Sequence, residues 1–441
     1  MRRWNLLILA AVVTVPGLIL KFTLGKDLIT NAALVGAFAW GLAVVGAAFL
    51  LTWACEAAQK DVPPAFAISI LALIAIAPEY SVDWALTFEA GTNPEYKEYA
   101  IANMIGANRM IVGFAWPLLV FIFWLKFRKA HITLGKSHRV EIGFLLAAGL
   151  YSIILPIKGY IDIIDVIILV SLFGLYTLRL LKGQVEEPHL VGPAKMVGEL
   201  PKNQRRLVVL GLMGFSLFTI LQVAKPFAQS LIYTGEQIGV DSLFLVKWFA
   251  PLASEAPEIV VCVIFTLRAM AAEGLGTLVS SKVNQWTLLV GTLPLVYSLG
   301  AGQLKALPLS GTLESQGAEF DLVGPMLVTS AQTLLAVMIV LNLRVSLLGA
   351  GTLFGLLLVQ FFFPGSVAGI KTDYIFTALY GSIALFLAVR ERLHFIQTIK
   401  SMFSPRYVRE QESAASITGA EDNEQATHAV MRIVNAEKSH S

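Results

Sequence analysis

The amino-acid composition is that of an integral membrane protein. The chain has 441 residues, of which 56% are apolar and only 14% are charged, and its mean hydropathy is +0.71. Since soluble globular proteins carry about 25% charged residues, this composition excludes a soluble enzyme, a disordered protein and a nucleic-acid-binding protein. The formal net charge of +3 adds little. The two cysteines, Cys55 and Cys262, lie in or beside apolar runs, so we expect them to pack between helices and to form no disulfide framework.

The apolar runs predict an all-α integral membrane protein with about twelve transmembrane helices, since a helix needs about 20 mainly apolar residues to cross a bilayer. The first run follows Met1-Arg2-Arg3 and resembles a secretory signal peptide. No clear small-x-small cleavage site precedes Lys21, so we interpret this run as a helix. The predicted spans are 4–20, 30–54, 65–88, 99–125, 140–156, 160–181, 206–224, 242–267, 274–300, 322–342, 345–363 and 373–389.

The lysines and arginines outside these spans are distributed unevenly between the two predicted sides. The side that receives the N-terminus carries about three times as many of them as the other, which by the positive-inside rule makes it cytoplasmic. We therefore predict a multi-pass protein of the cell membrane with both termini in the cytoplasm. The basic segments 126–139 and 179–206 lie on the same side. The tail, 404–441, is polar and is predicted to be flexible.

Two stretches of the chain are similar to each other. Each contains a six-residue segment of mixed polarity, then the tripeptide Ala-Pro-Glu, and then a predicted helix with small and polar residues near its start. The first comprises Asp61-Val62-Pro63-Pro64-Ala65-Phe66, Ala77-Pro78-Glu79 and Ala102-Asn103-Met104-Ile105-Gly106-Ala107-Asn108. The second comprises Gly239-Val240-Asp241-Ser242-Leu243-Phe244, Ala256-Pro257-Glu258 and Gly276-Thr277-Leu278-Val279-Ser280-Ser281-Lys282. Because corresponding helices are an odd number of spans apart, the copies are inverted, a pattern typical of secondary transporters with a midplane site.

These motifs resemble the two alpha-repeats of the sodium/calcium exchanger superfamily, the cation/calcium antiporters. There each repeat reads roughly Gly-Thr-Ser-Leu-Pro-Glu, followed on the next helix by Gly-Asn-x-x-Gly-Ser-Asn. The resemblance covers about 55–125 and 235–300, and it implies a divergent, prokaryotic-type member with a ten-helix core. The implied organisation is an extra helix in 1–29, a first half in 30–181 (motif 62–113), a cytoplasmic loop in 182–205, a second half in 206–363 (motif 240–291), an extra helix in 364–403 and the tail in 404–441.

Two glutamates are the strongest candidates for an ion site. Glu79 and Glu258 each follow a proline in a long apolar segment, and a carboxylate in mid-bilayer is costly and rare unless it has a function. The proline removes one helical hydrogen bond and frees a carbonyl one turn back, while Ca²⁺ prefers carboxylate and carbonyl oxygens. The resemblance implies that both glutamates are central ion ligands. The alternative is a pair of structural carboxylates bonded to neighbouring helices.

The resemblance also implies several smaller polar ligands. Asn103 and Asn108 match the first and last asparagines of the family motif, and the alternative for each is hydrogen bonding between helices. In the second repeat Thr277 and Ser281 hold the corresponding places. Ser254 lies where the family has the threonine of its Thr-Ser pair.

Three positions depart from the family pattern or add charge to the site. Lys282 stands where the second repeat would end in Asn or Asp. Glu255 replaces a usual serine three residues before Glu258, and Asp83 lies one turn beyond Glu79, so each faces the same way as its partner. A buried lysine is usually paired or deprotonated, and we expect Glu255 or Glu258 to be its partner. Lys282 would then act as a charge surrogate for a bound cation and, with Asp83, take part in coupling.

The leading hypothesis is a secondary antiporter that moves Ca²⁺ or Na⁺ in exchange for H⁺ or Na⁺ by alternating access. The alternative is a non-transporting membrane protein, a sensor or scaffold, in which Lys282 fills the ion site permanently. A channel is disfavoured because no segment reads as a pore or filter loop. The sequence has no nucleotide-binding or hydrolase motif, so we expect no enzyme activity. The expected partners are the lipid bilayer and small inorganic cations, with no nucleic acid and no cofactor.

Overall fold

The computed structural model describes residues 2–62, 74, 76–181, 190–312, 319–363, 365–367 and 369–404. Within these residues the chain is almost entirely helical, as the composition predicts. The predicted motif Pro63-Pro64-Ala65-Phe66, the segment 182–189 of the predicted cytoplasmic loop and positions 405–441 of the predicted tail lie outside the described residues.

The first half contains the helices up to residue 181. A π-helical turn at Ile111–Ala115 separates α4 from α5. The helices are α1 (Arg2–Asn31), α2 (Ala33–Ala58), α3 (Ala77–Thr92), α4 (Tyr96–Met110), α5 (Trp116–Phe127), α6 (Arg139–Ser152), α7 (Ile154–Lys158) and α8 (Ile163–Leu180), and a short 3₁₀ turn, Lys136–His138, precedes α6.

The second half repeats this arrangement, including its π-helical turn, which lies at Gln285–Leu289 between α12 and α13. A short helix, α9, precedes it in the loop. The helices are α9 (Gly192–Gly198), α10 (Lys202–Ile238), α11 (Ser242–Leu267), α12 (Ala271–Asn284), α13 (Val290–Ala301), α14 (Val323–Val340), α15 (Leu347–Phe362), α16 (Thr372–Arg390) and α17 (Arg392–Phe403).

Nine helical segments of the described residues are long and apolar enough to cross a bilayer, counting α4 with α5 and α6 with α7 as one segment each, and each corresponds to a predicted span. The other three predicted spans differ in form. Span 65–88 is described from Ala77 as α3, span 274–300 is interrupted by the π-helical turn, and span 345–363 is the 16-residue α15. The largest boundary error concerns span 206–224, because α10 continues to Ile238 over 37 residues.

Short antiparallel strands and polar contacts tie the helix ends together. Each contact joins two segments that the charge distribution places on the same side. On one side β1 (His131–Thr133) pairs with β6 (Arg344–Ser346). On the other side β2 (Tyr160–Ile161) pairs with β3 (Leu307–Pro308). Two hairpins complete the set: β4 (Ser310–Thr312) with β5 (Glu319–Asp321), and β7 (Ser366–Val367) with β8 (Ile370–Lys371).

An ion pair fixes the end of α2 to the start of α10. The Arg205 guanidinium donates to both carboxylate oxygens of Asp61, at 2.6 and 2.9 Å. These hydrogen bonds, together with the nearby charge of Arg206, hold the pKa of the Asp61 carboxyl below its usual value. The pair therefore anchors α2, whose middle borders the polar centre of the bundle.

Glycines allow helices of the two halves to cross closely. A Cβ at Gly106 on α4 would lie 1.8 Å from the Lys247 carbonyl oxygen on α11, and one at Gly300 on α13 would lie 2.1 Å from the Phe88 carbonyl oxygen on α3. Only glycine permits such approach of backbone to backbone. Each motif helix of the first half is thereby held against a helix of the second half.

Candidate functional site

Glu79 and Glu258 meet at one small cavity between the two halves. Pro78 and Glu79 lie in the first turn of α3, while Pro257 and Glu258 lie inside α11. Both pairs line the cavity, together with residues including Ser254 and Glu255. The volume of the cavity is about 20 Å³, which is enough for about one water molecule or bare ion.

Only one of the two prolines removes a hydrogen bond from the middle of a helix. Pro257 lies within a continuous α11, whereas Pro78 is at the start of α3. Pro257 has no N–H to donate, so a carbonyl one turn earlier loses its usual partner. A proline in the first turn, such as Pro78, costs little, because the N–H there has no helical acceptor.

Gln285 connects two of the carboxylates. It is fully buried at the start of the second π-helical turn, and its Nε2 donates to Glu79 Oε1 and to Glu255 Oε1, each at 2.9 Å. The amide thus holds a carboxylate of the first half close to a carboxylate of the second half. The sequence analysis did not include Gln285 among the candidates.

Lys282 does not have the carboxylate partner that we expected. Within the described part of the chain it forms no ion pair with Glu255 or Glu258; its Nζ donates instead to the backbone carbonyl and to Oδ1 of Asn108, the latter at 2.7 Å. The ammonium also lies 5.3 Å from the centre of the Trp286 ring, a cation–π distance. Lys282 and Asn108, which hold equivalent places in the two repeats, are therefore in direct contact.

Asp83 and Asn103 form a second polar contact beside the cavity. Both are buried, and Asn103 Nδ2 donates to Asp83 Oδ1 at 2.8 Å. Asp83 lies one turn beyond Glu79 on α3, as the spacing predicts. The structure thus brings Asp83 and Asn103 together, but no hydrogen bond of the described residues links them to the residues lining the cavity.

The remaining candidates differ in their positions. Ser281 Oγ donates to Glu258 Oε2 at 3.1 Å. Ser254 lines the cavity, although its hydroxyl donates to carbonyls of its own helix, those of Ala250 and Pro251. Thr277 is exposed and donates to a carbonyl one turn earlier on α12. The structure therefore brings Ser281 and Ser254 to the site and leaves Thr277 outside it.

Four buried oxygens in this region have no hydrogen-bond partner in the described part of the chain. They belong to two of the hydrogen-bonded pairs described above, Asp83 with Asn103 and Glu255 with Gln285, and are Asp83 Oδ2, Asn103 Oδ1, Glu255 Oε2 and Gln285 Oε1. Buried polar atoms almost always have a hydrogen-bond partner. An unprotonated oxygen can bind a proton, accept a hydrogen bond or coordinate a hard cation. The described residues gather no three His, Cys, Asp or Glu side chains into a group that could hold a metal. The arrangement is therefore an oxygen-rich site of mixed carboxylates, amides and hydroxyls.

Replacing Gln285 tests whether its amide positions the carboxylates. In Gln285→Leu, Glu79 and Glu255 lose their common donor, and we expect the affinity for the transported cation to fall by about tenfold, since a hydrogen bond to a charged group contributes roughly 1.5–3 kcal/mol. The measurement is the concentration dependence of cation uptake in proteoliposomes. Gln360→Leu is the matched control, because that buried glutamine contacts Arg109 and Asp373 instead. An unchanged affinity in Gln285→Leu would contradict the positioning role.

Comparisons with known proteins identify the family of the chain. The family model described as "Sodium/calcium exchanger protein" matches residues 32–182 and 208–365. A solved structure described as the H⁺/Ca²⁺ exchanger CAX is 37% identical to this chain, with a TM-score of 0.83. The match covers 91% of this chain and 98% of the CAX chain. No curated protein matches the chain.

Two more distant structures share the fold. Native YfkE is 12% identical with a TM-score of 0.57, over 85% of this chain and 99% of that one. A structure of the sodium-calcium exchanger NCX_Mj is 17% identical with a TM-score of 0.51, over 76% of this chain and all of that one. Since the family model covers well over half of the sequence, the chain belongs to the sodium/calcium exchanger protein family.

Proposed function

We propose that the protein is a secondary antiporter that exchanges Ca²⁺ for H⁺ by alternating access. The observation that carries the proposal is the meeting of Glu79 and Glu258, one from each half, at a cavity of ionic size. Carboxylate oxygens are ligands for Ca²⁺ when ionised and bind protons when neutral. The same oxygens can therefore hold either ion, but not both at once, which is the requirement for exchange.

The relative of 37% identity supports Ca²⁺ and H⁺ as the exchanged ions, because it is described as an H⁺/Ca²⁺ exchanger. We assign the ion site to Glu79 and Glu258, with Glu255, Ser254 and Ser281 beside them. Asn103 and Asn108 stay candidates whose present partners are Asp83 and Lys282. Na⁺ is the alternative for either ion.

A non-transporting protein is the second candidate. It is favoured by Lys282, whose ammonium already occupies two oxygens of Asn108. Under this hypothesis a permanent positive charge takes the place of a transported one.

Ion flux distinguishes the two functions. Purified protein in proteoliposomes with an acidic interior is expected to accumulate Ca²⁺ when Ca²⁺ is added outside, and to release protons as it does so. Both can be followed with dyes, and a Na⁺ gradient at equal pH is the parallel measurement. Absence of Ca²⁺ and Na⁺ movement under every gradient would favour the non-transporting candidate.

For the orientation, we propose that both termini and the loops 126–139 and 179–206 face the cytoplasm. Single cysteines at the exposed positions Lys129 and Lys202 should then resist an impermeant thiol reagent added to intact cells, whereas one at the exposed Lys305 should react. The native Cys55 and Cys262 are buried and should give little background. The reverse labelling pattern would overturn the orientation.

A further inference from the structure

A second group of polar residues lies where the loop after α5 enters α6. His138 ends the 3₁₀ turn, Glu141 is in the first turn of α6, and Ser280 is on α12. His138 Nδ1 contacts Glu141 Oε2, and Ser280 Oγ donates to Glu141 Oε1 at 3.0 Å. The side chain of His138 is 25% exposed and that of Glu141 is 11% exposed. The group therefore leads from the surface toward the interior.

The neighbouring helix leaves room for the imidazole. A Cβ at Gly276 on α12 would lie 2.4 Å from His138 Cε1, far closer than atoms can pack. The ring therefore lies directly on the backbone of α12, one turn before Ser280.

The same helix continues to the ion site. Ser281, the residue after Ser280, donates to Glu258 Oε2 at 3.1 Å. One turn of α12 thus contacts Glu141 on one side and Glu258 on the other. Chains of Asp, Glu and His side chains carry protons in pumps and transporters, and a hydroxyl group can accept one hydrogen bond while it donates another.

We propose that His138 and Glu141 are the proton-loading pair of this antiporter, and that they deliver protons to Glu258 through Ser280 and Ser281. This proposal rests on the proposed H⁺ exchange and names its route on one side of the membrane. His138 takes a proton from hydronium in the adjoining solvent on Nε2 and passes the proton of Nδ1 to Glu141 Oε2. Ser280 accepts it and gives its own hydroxyl proton to a water molecule, which protonates Ser281 as Ser281 releases a proton to Glu258. Each group between the solvent and Glu258 gains one proton and loses one, and Glu258 keeps the last proton.

Other charged or titratable groups lie on the elements around the pair. Lys136 and Arg139 are on the same segment, and Glu273 is on α12. Tyr176 and Arg179 are on α8, and Lys400 is on α17, which also packs against α6. A change in the pH dependence of transport can therefore be attributed to His138 and Glu141 only when a substitution of one of these two residues produces it.

The test compares two activities of the same vesicles. Uptake of Ca²⁺ driven by a pH gradient needs the proton route, whereas exchange of labelled for unlabelled Ca²⁺ moves no proton. In His138→Ala we expect the ratio of the first rate to the second to fall by about tenfold or more, as for loss of a positioned proton-transfer group. Added imidazole should restore the ratio in part, because it replaces the missing base. Glu141→Gln should show the same fall without restoration.

His131→Ala is the matched control, since His131 is exposed in the same loop but lies outside this group. It should keep the wild-type ratio. A wild-type ratio in both His138→Ala and Glu141→Gln, or a fall in His138→Ala that imidazole does not relieve, would overturn the proton route. Wild-type protein that exchanges Ca²⁺ but shows no response to pH would overturn the proposed H⁺ coupling itself.

Discussion

Glu79→Gln and Glu258→Gln are each expected to abolish cation flux while leaving the protein folded and inserted. Glutamine keeps the shape of the side chain and one acceptor oxygen, so Gln285 and Ser281 can still donate to it. What is lost is one negative charge beside the cation. Two unit charges about 4 Å apart interact by roughly 4 kcal/mol at an effective dielectric of 20, and such a loss corresponds to about a thousandfold in affinity.

Glu89→Gln provides the matched control for this prediction. Glu89 is on the same helix as Glu79 but pairs with Lys225, away from the cavity. The measurement is Ca²⁺ uptake by proteoliposomes with equal amounts of protein, and chromatography in detergent reports whether each variant is folded. If Glu79→Gln and Glu258→Gln both transport at wild-type rates, the two carboxylates are structural, as the alternative interpretation of the sequence holds.

The sequence predicts the two halves and the two glutamates because it repeats itself. Local patterns determine each Ala-Pro-Glu element, and the hydropathy determines the helices that carry them. The same comparison could not reveal Gln285. At the offset that relates Asn108 to Lys282, the counterpart of Gln285 is Ile111, so the repeat shows no matched pair of polar residues there. The sequence does show a glutamine inside an apolar run, and a buried amide needs hydrogen-bond partners.

The position of Thr277 outside the group around the cavity is explained by its place along the helix. Glu273 and Thr277 are exposed on α12, whereas Ser281, on the same face, is covered by the bundle. Periodicity shows which residues share a face but not where along a helix the neighbours begin. The end predicted at residue 224 for span 206–224 was also wrong. Lys225 pairs with Glu89 of α3, and the helix continues through Pro226 to Ile238.

Lys282→Asn is expected to make the protein bind Na⁺. In the wild type the ammonium donates to the backbone carbonyl and the side-chain oxygen of Asn108. Asparagine at position 282 restores the family pattern but carries no charge. The two oxygens then lack a partner, which costs about 1–3 kcal/mol for each buried group, and a monovalent cation that prefers oxygen ligands can recover this energy. We therefore still predict that Lys282 substitutes for a bound cation, although its partner is Asn108 and not a glutamate.

Two measurements check this prediction. Na⁺ should raise the unfolding temperature of Lys282→Asn in detergent and leave that of the wild type unchanged, because only binding to the folded state shifts stability. Ca²⁺ uptake by the variant should require Na⁺, whereas wild-type uptake should follow the pH gradient alone. Lys247→Asn is the control, as Lys247 lies on α11 and makes no hydrogen bond to Asn108 in the described part of the chain. Wild-type uptake that is driven by a Na⁺ gradient at clamped pH would show that Lys282 is no substitute for a bound Na⁺.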